Sequence, residues 1–137
     1  MRRPLFTICI IFVIGIVGDA QAPVIRSPAS IADTFLARVG KGEVGPAYDE
    51  LFRNSPMTHQ SLQIDTLKRQ TQSVLPVYGK VLGFELYKQE KFGESLVRLI
   101  YVQRFEKHPI IWKFWIYKPA GTWRVNMVTF NDQLVFE

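Results

Sequence analysis

Four runs rich in β-branched and aromatic residues follow one another between Tyr78 and Phe136, separated by nothing longer than a turn. A parallel pair of strands needs a crossover of about a dozen residues or more, so runs this close together can join only as an antiparallel meander. The runs are Phe84–Gln89, Leu96–Phe105, Ile110–Tyr117 and Trp123–Phe130. Gly93, His108-Pro109 and Lys118-Pro119-Ala120-Gly121 punctuate them. Proline removes an N–H from a ladder and restricts the residue before it, so these positions read as turns.

The third run shows which face is dry. Ile110, Trp112, Phe114 and Ile116 share one side, and all are apolar. The other side carries Ile111, Lys113, Trp115 and Tyr117. A sheet solvated on one face shows a cleaner polar alternation than this. A contiguous aromatic patch on the second face marks an interaction site. Ile111, Trp115 and Tyr117 are therefore the expected interface of a homodimer formed through the sheet, with Tyr87 and Tyr101 as extensions from neighbouring strands.

Helices are expected before the sheet. Ser27 has the character of an N-cap and Pro28 stands at the first helical position. Ile31, Phe35, Leu36 and Val39 follow as an apolar stripe, and Gly40-Lys41-Gly42 ends it. Val44 to Phe52 reads as a second helix, closed by Asn54-Ser55-Pro56. The third spans about His59 to Val74, with Leu62, Ile64, Leu67, Thr71 and Val74 as its stripe, and Leu75-Pro76 closes it. Helices first and an antiparallel sheet after them define an α+β class: N-terminal helices packed on a curved, mainly antiparallel, cone-like four-stranded sheet.

The first residues give a compartment. Met1-Arg2-Arg3-Pro4 is a basic start, and Leu5 to Val17 is apolar and uncharged. Small residues follow at Gly18-Asp19-Ala20, so a signal peptide over 1–20 with cleavage after Ala20 is expected, with export to the periplasm or the exterior. An uncleaved membrane tether is the alternative, although the apolar run is shorter than the roughly 20 residues that span a bilayer. A flexible mature N-terminus over 21–30 and one domain over 31–137 complete the organisation. Cys9, the only cysteine, leaves with the signal, so the mature chain has neither disulfide nor thiol chemistry. Loss of Arg2, Arg3 and Asp19 lowers the formal charge from +5 to about +4. The basic residues are scattered, which argues against nucleic-acid binding.

The chain resembles the nuclear-transport-factor-like (cystatin-like) α+β superfamily over Ile31 to Phe130. The resemblance rests on paired helices broken at a glycine-rich joint, a third helix, and a meander ending in a Trp-containing strand. The segments Tyr78-Gly79-Lys80-Val81-Leu82-Gly83-Phe84-Glu85, Phe105-Glu106-Lys107-His108-Pro109, Tyr117-Lys118-Pro119 and Asn131-Asp132 are similar to small exported bacterial proteins without an assigned function. Isomerases, dehydratases, small-ligand binders and noncatalytic dimers share that fold, so fold alone does not choose among them.

Chemistry-bearing residues are sparse. His59 and His108 have no cysteine beside them, and their positions near a helix start and in a turn speak for surface histidines rather than metal ligands. No nucleophile elbow or phosphate-binding glycine loop is present. The steroid-isomerase-like members need a buried carboxylate base. The helical carboxylates Asp49, Glu50 and Asp65 read instead as solvated groups. No catalytic residue, metal or cofactor is implied. Arg98, in mid-strand between Leu96 and Ile100, must find an acceptor or reach water. Together with Tyr48 and Tyr101 it is the candidate anchor for a small apolar or anionic ligand. The overall expectation is an exported binding or protein-interaction module, with a cone-cavity ligand binder or an isomerase-type enzyme as alternatives.

Overall fold

The computed structural model describes residues 25–137. The expected signal peptide and its cleavage point after Ala20 lie outside the described residues. From Ile25 onward the order is α1 (Pro28–Gly40), α2 (Val44–Leu51), α3 (Ser61–Val74), β1 (Val81–Phe92), β2 (Leu96–Phe105), β3 (Ile110–Tyr117) and β4 (Arg124–Asn131). The strands pair antiparallel in sequence order, and the sheet stays open. The helices lie on one face, so the architecture is α+β.

Local chemistry sets the helix ends. Ser27 is extended, and its hydroxyl accepts the backbone N–H of Ser30 at 3.1 Å, satisfying a donor that the first turn leaves free. Residues 28–30, expected in a flexible segment, are therefore the first turn of α1. At the other end the Lys41 N–H reaches Arg38 O, and Gly42 takes φ +82°, where a side chain would be strained. The chain thus turns straight into α2. Ser55 then ties the helical layer to the sheet: its buried hydroxyl donates to Val125 O and accepts from Met57 N.

The third helix departs from expectation at its start. Pro56–His59 forms a separate 3₁₀ turn, and α3 begins at Ser61. Leu62 is 74% exposed. It lies two residues from the buried Ile64, roughly 200° around the helix, so both cannot face the core. The stripe that packs is Ile64, Leu67, Thr71 and Val74.

β1 is twice as long as its alternation suggests, 12 residues in place of six. Irregularities between Val81 and Gly83 and between Leu86 and Lys88 each insert a residue and reset the period of two. β2 and β3 match their expected spans at both ends.

The core lies between the helices and the inner sheet face. Ile110, Trp112, Phe114 and Ile116 all point into it, none more than 1% exposed. Phe35 of α1 meets Tyr48, Trp112 and Phe114 edge-on, with centroids at 4.9, 5.3 and 5.7 Å. Trp112 Nε1 donates to the buried Gln103 Oε1 at 2.9 Å, which satisfies the oxygen of that amide, while the amide's Nε2 has no partner among the described residues.

Phe114→Ala should cost about 3–5 kcal/mol by chemical denaturation, since it removes a ring that Phe35 and Tyr101 grip from two sides. A loss under about 1 kcal/mol would mean that the inner and outer faces are interchanged.

Candidate functional site

The sheet's outer face divides into two parts. One part is covered by the chain itself. After β4, Asn131 brackets the tail with a side-chain pair of hydrogen bonds to Val135 N and O, at 3.2 and 3.1 Å. Phe136 then lies on Tyr87 of β1 at 4.8 Å, and Lys113 Nζ donates to Glu137 O. The tail therefore runs from one edge strand to the other across β3 and β2. Ile100 and Ile111, both outward-facing, are fully buried although they are outside the inner core cluster. At the tail's root, the Tyr78 hydroxyl donates to the Asp132 carboxylate, and a His108 ring nitrogen lies 2.6 Å from Asp132 O.

The other part is open. Phe92 follows Trp115 at 5.4 Å, and Met127 stands opposite Trp115 in the ladder. Phe92 and Met127 are 46% and 44% exposed. The Arg98 guanidinium lies over the Trp115 ring at 5.3 Å. Arg98 Nε also donates to Glu90 Oε2, and Lys88 Nζ reaches Glu90 Oε1 at 2.9 Å. The Arg98 bond, and then the Lys88 bond, hold the Glu90 carboxyl down at about 2. Trp115 thus packs against an apolar ring and a paired guanidinium, with Tyr117 two residues along the same face.

The three expected ligand anchors do not converge. Arg98 and Tyr101 are three residues apart on β2, an odd number, so they face opposite sides of the sheet. Tyr101 consequently does not extend the outer patch either. Its hydroxyl donates to Asp33 Oδ1 at 2.7 Å and pins α1 to β2. Burial, and then this bond to Asp33, raise its pKa. Tyr48 is fully buried, and its hydroxyl sits 2.9 Å from Thr71 Oγ1. Thr71 spends its own proton on Leu67 O, so Tyr48 is the donor of the pair. Burial pushes the Tyr48 hydroxyl up to about 12. Both tyrosines are neutral inter-element ties. The outer-face set fares differently: Trp115 and Tyr117 are half-buried, while Ile111 is closed off beneath the tail.

Two of the three helical carboxylates, Asp49 and Glu50, are also engaged. Asp49 binds Lys68 at 2.7 Å. Glu50 holds Arg26 and Arg38, one on each oxygen, at 3.0 Å each. Among the described residues no group of three or more His, Cys, Asp or Glu side chains is placed to hold a metal ion. Nor is any described helix long and apolar enough to cross a membrane.

Glu90, Phe92 and Met127 were missed by sequence reasoning. Phe92 sits beyond the second β1 irregularity, where alternation no longer reports the face. Met127 joins Trp115 only through cross-strand register. In comparisons with family models, curated proteins and solved structures, nothing matches the chain.

The Glu90 cluster has a pH signature. A carboxylate with a depressed folded pKa stabilises the fold above its ordinary value of 4.5, and that contribution disappears as the pH falls through about 2. Glu90→Gln should therefore be less stable than the unmodified chain at neutral pH, with the two curves converging near pH 2. Denaturant titrations across that range check it, and parallel curves would show that the cluster contributes nothing.

Proposed function

We propose that the chain is an exported, noncatalytic binding module that assembles face to face with a second copy of itself through the open half of its outer sheet face. The observation that carries this reading is Trp115, packed against Phe92 and Arg98 and opposite Met127 in the ladder. Rigid aromatic and arginine groups at the centre of a patch are the usual energetic anchors of protein interfaces.

A second copy suits this patch. The open half carries both signs of charge, with Glu90 between Lys88 and Arg98 beside Trp115. An isologous contact sets a patch against itself, so it needs such mixed charge, whereas a patch of one sign repels its copy. The tail leaves this half open and covers the rest, which limits the contact to one end of the sheet. The apolar stretch over residues 5–17 supports export.

The packed interior favours a surface role over the two alternatives. A ligand or a catalytic base in a cone cavity requires the space between helices and sheet, and Phe35, Tyr48, Trp112 and Phe114 occupy that space. The resemblance to the nuclear-transport-factor-like superfamily remains part of this reading, since noncatalytic dimers are among its members.

Light scattering of the mature chain at micromolar concentration should give twice the monomer mass. Trp115→Glu should give a folded monomer with unchanged far-ultraviolet circular dichroism, because the new carboxylate would be buried against its own copy. A monomeric unmodified chain would remove the dimer from this account.

A further inference from the structure

We propose that two copies of this chain meet with their strands reversed end for end, about a two-fold axis that crosses the strands midway between Trp115 and Tyr117, so that Met127 of each copy faces Arg124 of the other. This arrangement rests on the self-association proposed for the open half of the outer face and specifies which residues meet there. Register resolves that half into two outward rows. Phe92, Leu96, Tyr117 and Arg124 lie side by side across the four strands, and Glu90, Arg98, Trp115 and Met127 form the row beneath. Val97, Ile116 and Val125, between the rows, point into the core. The next outward row holds Ile100 and Lys113, where the tail lies.

An isologous contact between sheet faces has its axis in the plane between them, running either along the strands or across them. An axis along the strands sets like ends together, so the tail-covered half of one copy meets that of the other. Packed sheets lie about 10 Å apart, a gap that side chains alone fill, and two tails do not fit into it. An axis across the strands turns the second copy end for end. Open half then meets open half, and the tails pass outside the contact at opposite ends.

Charge fixes the height of that axis. Through the lower row it would set Glu90 against Glu90 and Arg98 against Arg98. Through the upper row it would set Arg124 against Arg124. Like charges opposed in this way cost affinity. Midway between the rows, Trp115 faces Tyr117 of the second copy, Glu90 faces Phe92, Arg98 faces Leu96 and Met127 faces Arg124. Glu90 keeps its bonds to Lys88 and Arg98 within its own copy. Arg124 forms no ion pair with any described residue, and on the edge strand β4 its guanidinium stays within reach of water.

Met127 is 44% exposed, so charged substitutions there leave the fold intact. In the reversed arrangement a carboxylate at this position meets a guanidinium twice per dimer, whereas an ammonium meets it with like charge. Sedimentation equilibrium of the mature chain at low salt should therefore show Met127→Glu dimerising roughly tenfold more tightly than Met127→Lys. Adding Arg124→Gln to both variants should abolish the difference. With the axis along the strands Met127 would face Glu90 of the second copy, and the order of the two variants would be reversed. Equal affinities, a reversed order, or a difference that survives Arg124→Gln, in a chain that still dimerises when unmodified, would overturn the arrangement and leave the dimer standing. An unmodified chain that stays monomeric would overturn both.

Discussion

Phe35 is the side chain on which the two layers of this protein depend. It projects from α1 and meets Tyr48, Trp112 and Phe114 with interplanar angles of 75–77°. Edge-on contact sets the positive rim of each ring against a negative face, and this adds to the area buried. The cluster joins both leading helices to the central strand. No disulfide can share this task, since the only cysteine is Cys9, outside the described residues. Two hydroxyl ties reinforce it: Tyr101 to Asp33 holds α1 on the sheet, and Tyr48 to Thr71 holds α2 on α3.

An aromatic-rich strand with one core has a second face to manage. Here the chain solves half of that problem internally, by drawing its own C-terminus across Ile100 and Ile111. The remaining half keeps Trp115, Phe92 and Met127 near water. Packing Trp115 against a ring and a paired guanidinium limits its freedom before any partner arrives, which lowers the entropic cost of association.

What sequence reasoning captured was local. The Ser27 cap, the break at Gly42 and the phase of β3 each depend on a few adjacent residues, and each stands where the residues indicate. The inner face of β3 was readable because Ile110, Trp112, Phe114 and Ile116 keep an unbroken period of two. β1 was not readable at its ends, because its irregularities change the phase. Leu62 falls outside the stripe on α3 because it lies roughly 200° around the helix from Ile64.

The site was less legible than the fold. Trp115 and Tyr117 were placed on the correct face, yet Ile111 beside them is sealed by a tail whose path depends on long-range contacts to Tyr87 and Lys113. Arg98 met the ion pair that its mid-strand position demands, but its partner Glu90 became apparent only from register. Tyr48 and Tyr101 have polar tips in a core, and sequence does not distinguish a structural tie from a ligand contact at such positions.

The central claim is that Trp115 lies at a contact between two copies of this chain. In a Trp123→Phe variant, Trp112 is fully buried, so collisional quenching by acrylamide reports chiefly on Trp115. Measured from nanomolar to tens of micromolar protein, quenching should fall as concentration rises and copies cover the ring. Quenching that is strong and independent of concentration across that range would contradict the account.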